Sequence, residues 1–369
     1  MRALLILIVT LLAALPLQAH ETQPAIADAR VNAERVELDV ALLLEPLIAG
    51  IDLSRYTDTN DAPQAEEYDR LRALPPQMLD AAFEDAWPGL REGFIIEVGG
   101  ERLIPRITGL AITDQPNLNL VREATLSLTA ELPPGTAPVT IGWVPEYGPL
   151  VLRQIGEGED LYAGYLNPGD LSAPLPREGV AQVPLWIAFA DYVVIGFEHI
   201  VPKGLDHILF VLGLFFFSTR LRPLVFQISA FTVAHTVTLA LAVLGYVSVP
   251  PEIVEPLIAA SIVYVAVENT VMREMKPWRT AIVFAFGLLH GLGFASVLGD
   301  IGLDPTRFVT GLIAFNIGVE IGQLSVIAAA FLLLGWAIRR DWYRAAIAIP
   351  ASLAIAAVGA YWVLERTIL

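Results

Sequence analysis

Acidic residues and histidines occur together in a stretch of the chain that is otherwise apolar enough for a lipid bilayer. The stretch covers residues 196–217 and contains Glu198, His199, Asp206 and His207. Ionisable groups at membrane depth are costly, and proteins keep them there mainly for ligands, ions or protons. Imidazole beside carboxylate is a common ligand set for metal ions. The stretch therefore predicts metal chemistry, with a polar helix cap at the membrane surface as the alternative interpretation.

Further nitrogen and oxygen donors follow at intervals in the apolar runs. His235 and His290 each lie roughly 13–17 Å below the outer ends of their predicted helices, at a rise of ~1.5 Å per residue. Asn316 and Glu320 are four residues apart and therefore share one helix face, and Glu268 lies in the inner third of another run. For a single amide such as that of Asn316, an interhelical hydrogen bond is the simpler interpretation.

We expect the donors of this region to form one metal centre in the outer half of the membrane. Glu198 and His199 precede a Pro-x-Gly break, so we expect them to capture metal at the entrance rather than to hold it. The candidate metal ligands are Asp206, His207, His235, His290, Glu320, Asn316, Glu198, His199 and Glu268. Imidazole with carboxylate suits nickel, cobalt, zinc or ferrous ions, whereas calcium and magnesium sites rarely use histidine. The chain has no cysteine, which excludes thiolate ligands and disulfides.

Composition places these donors in a membrane domain. The chain is 55% hydrophobic with a mean hydropathy of +0.59, which is too apolar for an ordinary soluble protein. Residues 20–180 hold 27 acidic residues, 11 arginines and no lysine, so this half carries the whole formal charge of −16. Such a balance argues against nucleic acid as a partner.

The N-terminal half is predicted to be an extracytoplasmic domain resembling a β-sandwich. Residues 1–19 have the form of a secretory signal, with one arginine, an apolar core and a small residue before His20. Residues 20–178 then contain alternating strands, including a predicted hairpin over 94–104 and a predicted strand pair formed by 124–132 and 139–144. Helical spacing over 65–91 predicts an inserted helix or two, and residues 156–176 have the composition of a linker.

From residue 183 to residue 369 the chain is predicted to be a polytopic α-helical membrane domain. Apolar runs over 205–217, 224–247, 253–272, 278–298, 308–338 and 345–364 predict six spans, preceded by a re-entrant or interfacial helix over 184–200. With this arrangement, most lysines and arginines fall on the cytoplasmic side, as the positive-inside rule requires. A span over 184–200 would invert that bias, and it stays open as an alternative. The protein is therefore expected in the inner membrane, with its N-terminal domain outside the cytoplasm.

Five ordered blocks resemble the HupE/UreJ family of hydrogenase and urease accessory membrane proteins. The blocks are GFEHIVPKGLDHILF, FTVAHTVTLAL, VYVAVEN, FGLLHGLGFA and FNIGVEIGQL, between residues 196 and 324. The founding branch has a His-Pro where this chain has His199-Ile200, and a second histidine where this chain has Thr232. The resemblance implies a nickel or cobalt permease, and the expected partners are the lipid bilayer, the metal ion and a metalloenzyme maturation system.

Four functions are compatible with these residues. The first is a secondary transporter of a divalent transition metal, nickel or cobalt in class with zinc or iron as alternatives, driven without ATP because no nucleotide-binding motif is present. The second is an intramembrane metalloenzyme with an open metal position. The third is a b-type haem protein with His235 and His290 as axial ligands. The fourth is a non-transporting accessory or scaffold protein. We expect the transporter, and hence no enzymatic activity.

Overall fold

The computed structural model describes residues 24–56, 58–116, 118, 121–156, 161–274, 276, 278–293 and 308–368. These residues form two compact units that divide between Val183 and Pro184. Each unit has its own hydrophobic core. The predicted signal over 1–19 lies outside the described residues.

The first unit is a β-sheet domain with helices inserted after its second strand. Its strands are β1 (Ala25–Val31), β2 (Arg35–Leu42), β3 (Phe94–Val98), β4 (Glu101–Leu103), β5 (Arg106–Ile112), β6 (Ala124–Glu131), β7 (Val139–Trp143), β8 (Leu150–Ile155) and β9 (Leu161–Leu166). Its helices are α1 (Leu44–Ala49), α2 (Ala65–Arg72) and α3 (Pro76–Leu90). The helices confirm the helical spacing predicted over residues 65–91.

The strands form two sheets around one core, as the sandwich prediction requires. The larger sheet has the order β5-β6-β2-β1-β8-β9, and the smaller has the order β4-β3-β7. Only β1 and β8 pair in parallel among the described strands. Alternate residues of β2, including Val36, Leu38 and Val40, are buried against residues of the smaller sheet such as Ile96 and Ile141. This alternation is the pattern of a strand with one face in a core.

The hairpin predicted over 94–104 is confirmed, with both Gly99 and Gly100 at the positive φ angles that its two-residue turn needs. Two other predictions for the domain are wrong. The predicted pair of 124–132 with 139–144 is wrong: β6 already has β2 and β5 on its two edges, so β7 pairs with β3 in the other sheet. The linker over 156–176 is also wrong, because β9 and the buried Leu175 belong to the domain.

One carboxylate of this domain is held in its charged form across two strands. The Ser127 hydroxyl donates to Asp39 at 2.7 Å, and Arg30 donates to the other carboxylate oxygen at 2.9 Å. The serine hydrogen bond, followed by the arginine contact, lowers the pKa of Asp39 below its ordinary value.

The second unit is a bundle of apolar helices. These are α4 (Leu185–Ile200), α5 (Leu205–Phe217), α6 (Leu221–Val243), α7 (Pro251–Val271), α8 (Trp278–Gly293), α9 (Phe308–Ile338) and α10 (Ile349–Ile368). Helices α6, α7, α9 and the segment Arg344–Thr367 are each long and apolar enough to cross a membrane, and the bent pair α4–α5 makes a fifth candidate. The chain is thus a membrane protein with four or five candidate spans in its described part. Six spans are not confirmed: α5 has 13 residues, and α8 is described only to Gly293.

Glycines let the helices of this bundle approach at backbone distance. A Cβ atom on Gly318 of α9 would overlap the Val193 carbonyl of α4, and one on Gly196 of α4 would overlap the Phe315 carbonyl of α9. Small residues allow such close packing between membrane helices. In lipid no hydrophobic force drives helices together, so their association depends on close contact of this kind. His199 of α4 consequently packs on Phe315 of α9, with ring centroids 5.6 Å apart.

Candidate metal centre

The break between α4 and α5 places two histidines beside each other. Pro202 cannot donate to a helical carbonyl, and α5 continues at an angle of 72° to α4. A Cβ atom on Gly204 would overlap the His199 carbonyl oxygen, so the turn accepts only glycine. His199 in the last turn of α4 and His207 in the first turn of α5 therefore face each other, with ring centroids 4.9 Å apart.

The packing of α8 on α6 adds two more histidines. Cβ atoms on Gly287 and Gly291 would overlap carbonyl oxygens of α6, so these glycines set the close contact. His290 lies between them and its ring centroid is 4.9 Å from that of His207. His235 of α6 lies 6.0 Å from His207 and 6.2 Å from His199 by the same measure.

The donor atoms of these side chains fall into two sets of three. Ligand atoms of His199, His207 and His235 lie within 4.8 Å of one another, and so do ligand atoms of Asp206, His207 and His290. His207 belongs to both sets. The rings of His207, His235 and His290 are between 0% and 4% exposed. The site is therefore buried, and it is built from imidazole and carboxylate.

Each of two histidines has one ring nitrogen fixed by a neighbour. Nδ1 of His207 lies 3.2 Å from a carboxylate oxygen of Asp206, which accepts a hydrogen bond from the ring N–H. Nδ1 of His235 lies 3.1 Å from Oδ1 of Asn316. The Asn316 amide nitrogen donates to the Leu312 carbonyl at 2.9 Å, so its oxygen faces the histidine and can only accept. Both histidines are thus N–H donors at Nδ1 and carry their lone pair on Nε2.

His290 has the opposite tautomer by the same reasoning. Its Nε2 lies 3.1 Å from the Ser261 hydroxyl. That hydroxyl donates its one proton to the Ile258 carbonyl at 2.7 Å and accepts from the histidine. The lone pair of His290 is therefore on Nδ1.

The lone-pair nitrogens are the ones that lack a hydrogen-bond partner. Within the described part of the chain, Nε2 of His207, Nε2 of His235 and Nδ1 of His290 are buried and have no such partner. A buried polar atom without a partner costs free energy that a bound ion would recover. A histidine that donates one N–H to a neighbour and presents its other nitrogen has the usual arrangement of a metal ligand.

Glu320 lies one helical turn from Asn316 on α9, in a separate group of oxygen atoms. The hydroxyls of Ser229 and Thr232 contact its two carboxylate oxygens at 2.6 and 2.5 Å. Thr232 also lies 3.1 Å from Oε1 of Gln323. Because Thr232 precedes His235 by three residues on α6, this group is adjacent to the histidines along both helices.

Neither Glu198 nor Glu268 belongs to the two sets of donor atoms. Glu198 is partly exposed and pairs with Lys203 at 2.9 Å. Glu268 forms a buried ion pair with Arg279 near the other ends of α7 and α8. Arg279 precedes His290 by 11 residues on α8, which corresponds to about 16 Å along the helix axis. His199, in contrast, lies within the cluster rather than only at its entrance.

Three polar residues of this region were not anticipated from the sequence. Ser261 orients His290, Ser229 contacts Glu320, and Arg279 pairs with Glu268. The positive-inside rule assigns Arg279 to the cytoplasmic end of its helix, and its side chain is only 2% exposed there. A useful signal would have been its spacing from Glu268, which suits antiparallel neighbours joined by a short connection. The two serines carry no signal, because hydroxyls are common in apolar helices.

Together, the apolar helices and the buried group of four histidines and an aspartate define a membrane protein with a candidate transition-metal site. The family model described as HupE / UreJ protein matches residues 177–366, just over half of the chain. The chain therefore belongs to the HupE/UreJ family, which indicates a metal-related accessory or transport role. The match covers the helical unit, and most of the β-sheet domain lies outside it. Comparison with curated proteins gives no match, and comparison with solved structures gives none either.

Proposed function

We propose that the protein is a secondary transporter of a divalent transition-metal ion, with the ion held in transit by the buried histidines and Asp206. The observation that carries the proposal is the state of three buried histidines, each fixed at one ring nitrogen and presenting the other without a partner. In a purely structural role, the second nitrogen of each buried ring would be expected to have a hydrogen-bond partner as well. A metal-binding role needs one lone pair from each ring.

The ligand types favour nickel or cobalt, with zinc and ferrous iron as alternatives. Neutral imidazole binds borderline ions of the later first transition row, and a single carboxylate adds one negative charge. Calcium and magnesium prefer six or more oxygen ligands, which this cluster does not supply from its described side chains. Selectivity for transition metals over alkaline-earth ions is therefore part of the proposal.

The arrangement along the helices gives the ion an onward ligand. Glu320, with the oxygens of Thr232 and Gln323 around it, follows the histidines by one turn along α9. We place the histidines in the outer half of the inner membrane and Glu320 nearer the cytoplasm. This orientation rests on the arginines at the start of α6 and after α9, which the positive-inside rule assigns to the cytoplasm. It leaves the β-sheet domain in the periplasm.

Transport is tested with purified protein in proteoliposomes loaded with a metal-sensitive dye. Uptake of nickel or cobalt, but not of calcium or magnesium, is the expected result. His207→Ala should abolish uptake, because His207 is part of both ligand sets. A protein that binds no transition metal in equilibrium dialysis would refute the proposal.

A matched pair of aspartates controls for the loss of charge. Asp206→Asn removes a carboxylate from the cluster, and Asp191→Asn removes one from an exposed position on α4. We expect the first to weaken metal binding by about 10–100-fold, the usual cost of losing a residue that orients a ligand, or by more if it ligates directly. The second should bind as the wild type does. Equal losses in both variants would show that the effect comes from membrane charge rather than from ligation.

A further inference from the structure

We infer that the centre consists of two overlapping three-ligand sites that share His207, and that one metal ion occupies them alternately. The inference rests on the proposed function, because it assumes that the histidines bind metal. One site is His199, His207 and His235, and the other is Asp206, His207 and His290.

The donor atoms of the five side chains do not all lie close to one another, and they form two separate sets. Among the described residues, the donor atoms that lie within 4.8 Å of one another form two sets of three, and no larger set. The rings of His199 and His290 each approach His207 to 4.9 Å between centroids, from α4 and α8 respectively. His207 is thus the common member, and an ion coordinated by three protein ligands has two alternative positions beside it.

The chemistry of His207 limits the occupancy to one ion. A neutral imidazole has one N–H and one lone pair. Nδ1 of His207 lies 3.2 Å from Asp206, which belongs to one of the two sites only. Whichever nitrogen it uses, a neutral His207 can bind one ion at a time, so filling one site empties the other. An ion can therefore pass between the sites by exchanging the ligands of one for those of the other around His207.

The two sites differ in charge but not in ligand class. Three imidazoles leave the charge of a divalent ion uncompensated, whereas two imidazoles and Asp206 compensate one unit. Borderline transition-metal ions accept both sets, so neither site needs to bind much more tightly than the other. Similar affinities are what a site in a transport path requires, because an ion bound too tightly does not leave.

Redundancy between the sites is the measurable consequence. Using cobalt(II) as the probe, we expect the purified full-length protein to bind one ion per chain in equilibrium dialysis. His235→Ala removes only the first site and His290→Ala only the second, so each should keep binding of one cobalt with a loss below about 100-fold. The visible spectra of the two variants should differ from each other, because one retains a carboxylate ligand and the other does not.

Loss of both sites should be far more severe than the single losses predict. We expect His207→Ala and the double variant His235→Ala/His290→Ala to lose cobalt binding to a similar extent, well beyond the product of the single effects. His207→Gln, which keeps a neutral side chain in the cavity, together with thermal unfolding in detergent, shows whether loss of binding reflects loss of fold.

Three results separate the possible outcomes. If His235→Ala or His290→Ala alone loses binding as completely as His207→Ala, the centre is one indivisible site and the inference is wrong. Two cobalt ions per wild-type chain would overturn it as well, because His207 would then bridge two ions. If the wild-type protein binds no transition metal at all, the proposed function fails first, and that result is distinct from the other two.

Discussion

Removing Glu268 should destabilise the helical unit strongly, because it would leave the guanidinium of Arg279 buried without a counter-charge. The two side chains are 6% and 2% exposed. Once the carboxylate is gone, Arg279 keeps a hydrogen bond to Gln227 at 3.2 Å and a contact with the Phe217 ring at 3.7 Å. Neither group carries a charge. Breaking a buried ion pair by removing one partner costs about 3–5 kcal/mol, most of it the penalty for the unpaired charge.

A double variant separates that penalty from the value of the pair itself. Glu268→Leu/Arg279→Met replaces both charges by apolar side chains of similar volume, and such replacements are often neutral or stabilising by about 1–4 kcal/mol. We therefore expect Glu268→Ala to lower the midpoint of thermal unfolding in detergent, and the double variant to recover most of the loss. Glu274→Ala is the matched control: its pairing with Lys276 is exposed and is worth about 0–1 kcal/mol.

The same variants decide whether Glu268 is a metal ligand. The double variant lacks the carboxylate but keeps the helix packing, so its cobalt stoichiometry should equal that of the wild type. A loss of metal binding in a stable double variant would return Glu268 to the ligand set. A double variant as unstable as Glu268→Ala would refute the electrostatic reasoning, because apolar replacement would then fail to relieve the buried charge.

Three further predictions concern packing, topology and pH. Gly318→Ala should destabilise the bundle by about 1–3 kcal/mol, since its Cβ would overlap a carbonyl of α4, whereas Gly335→Ala on the same helix meets no atom within 4 Å and should be neutral or stabilising; thermal unfolding compares them. The chain has no cysteine, so cysteines introduced singly at Glu252 and Glu274 can be labelled with a membrane-impermeant maleimide. We expect labelling from the periplasm only at position 252. Labelling from the periplasm at position 274 would show that the topology is the reverse of the one proposed. Asp39→Asn should reduce the stability of the β-sheet domain at neutral pH. The pKa of Asp39 is lowered in the folded state, so its charged form stabilises the fold at pH values above the unfolded-state pKa, and this contribution is lost as pH falls through the folded-state pKa. The difference in urea midpoint between variant and wild type should therefore vanish in acid, and a difference that stays constant with pH would contradict this cause.

Local patterns predicted the elements of the β-sheet domain better than their partners. Alternation and turn residues identified the hairpin over 94–104, because period and turn chemistry are properties of neighbouring residues. The pairing of β6 with β7 was predicted from adjacency along the chain and is wrong, since β6 has β2 and β5 as neighbours. Which strands pair with the two edges of β6 depends on residues far away in sequence. The same limit applies to β9, whose glycine-rich surroundings resemble a linker.

Counting residues along a helix gives the level of a side chain but does not tell which side chains of other helices it contacts. The position of Glu268 along its helix follows from counting residues. Its separation from the histidines also follows from counting, but only once Arg279 is known to be its partner. Counting could not identify that partner, because Arg279 belongs to another helix and was assigned to the cytoplasmic flank. A charge inside an apolar run signals a partner, yet the partner is chosen by helix packing.

The place of His199 in the candidate site could not be predicted from its position along the chain. Counting along the chain puts it before the Pro202 break, at the entrance, with His207 eight residues later. In a continuous helix those residues would lie about 12 Å apart along the axis. The turn of 72° at Gly204 instead brings the last turn of α4 against the first turn of α5. A break that sequence analysis interprets as the entrance therefore brings His199 into the candidate site, and His207 gains a second set of neighbours.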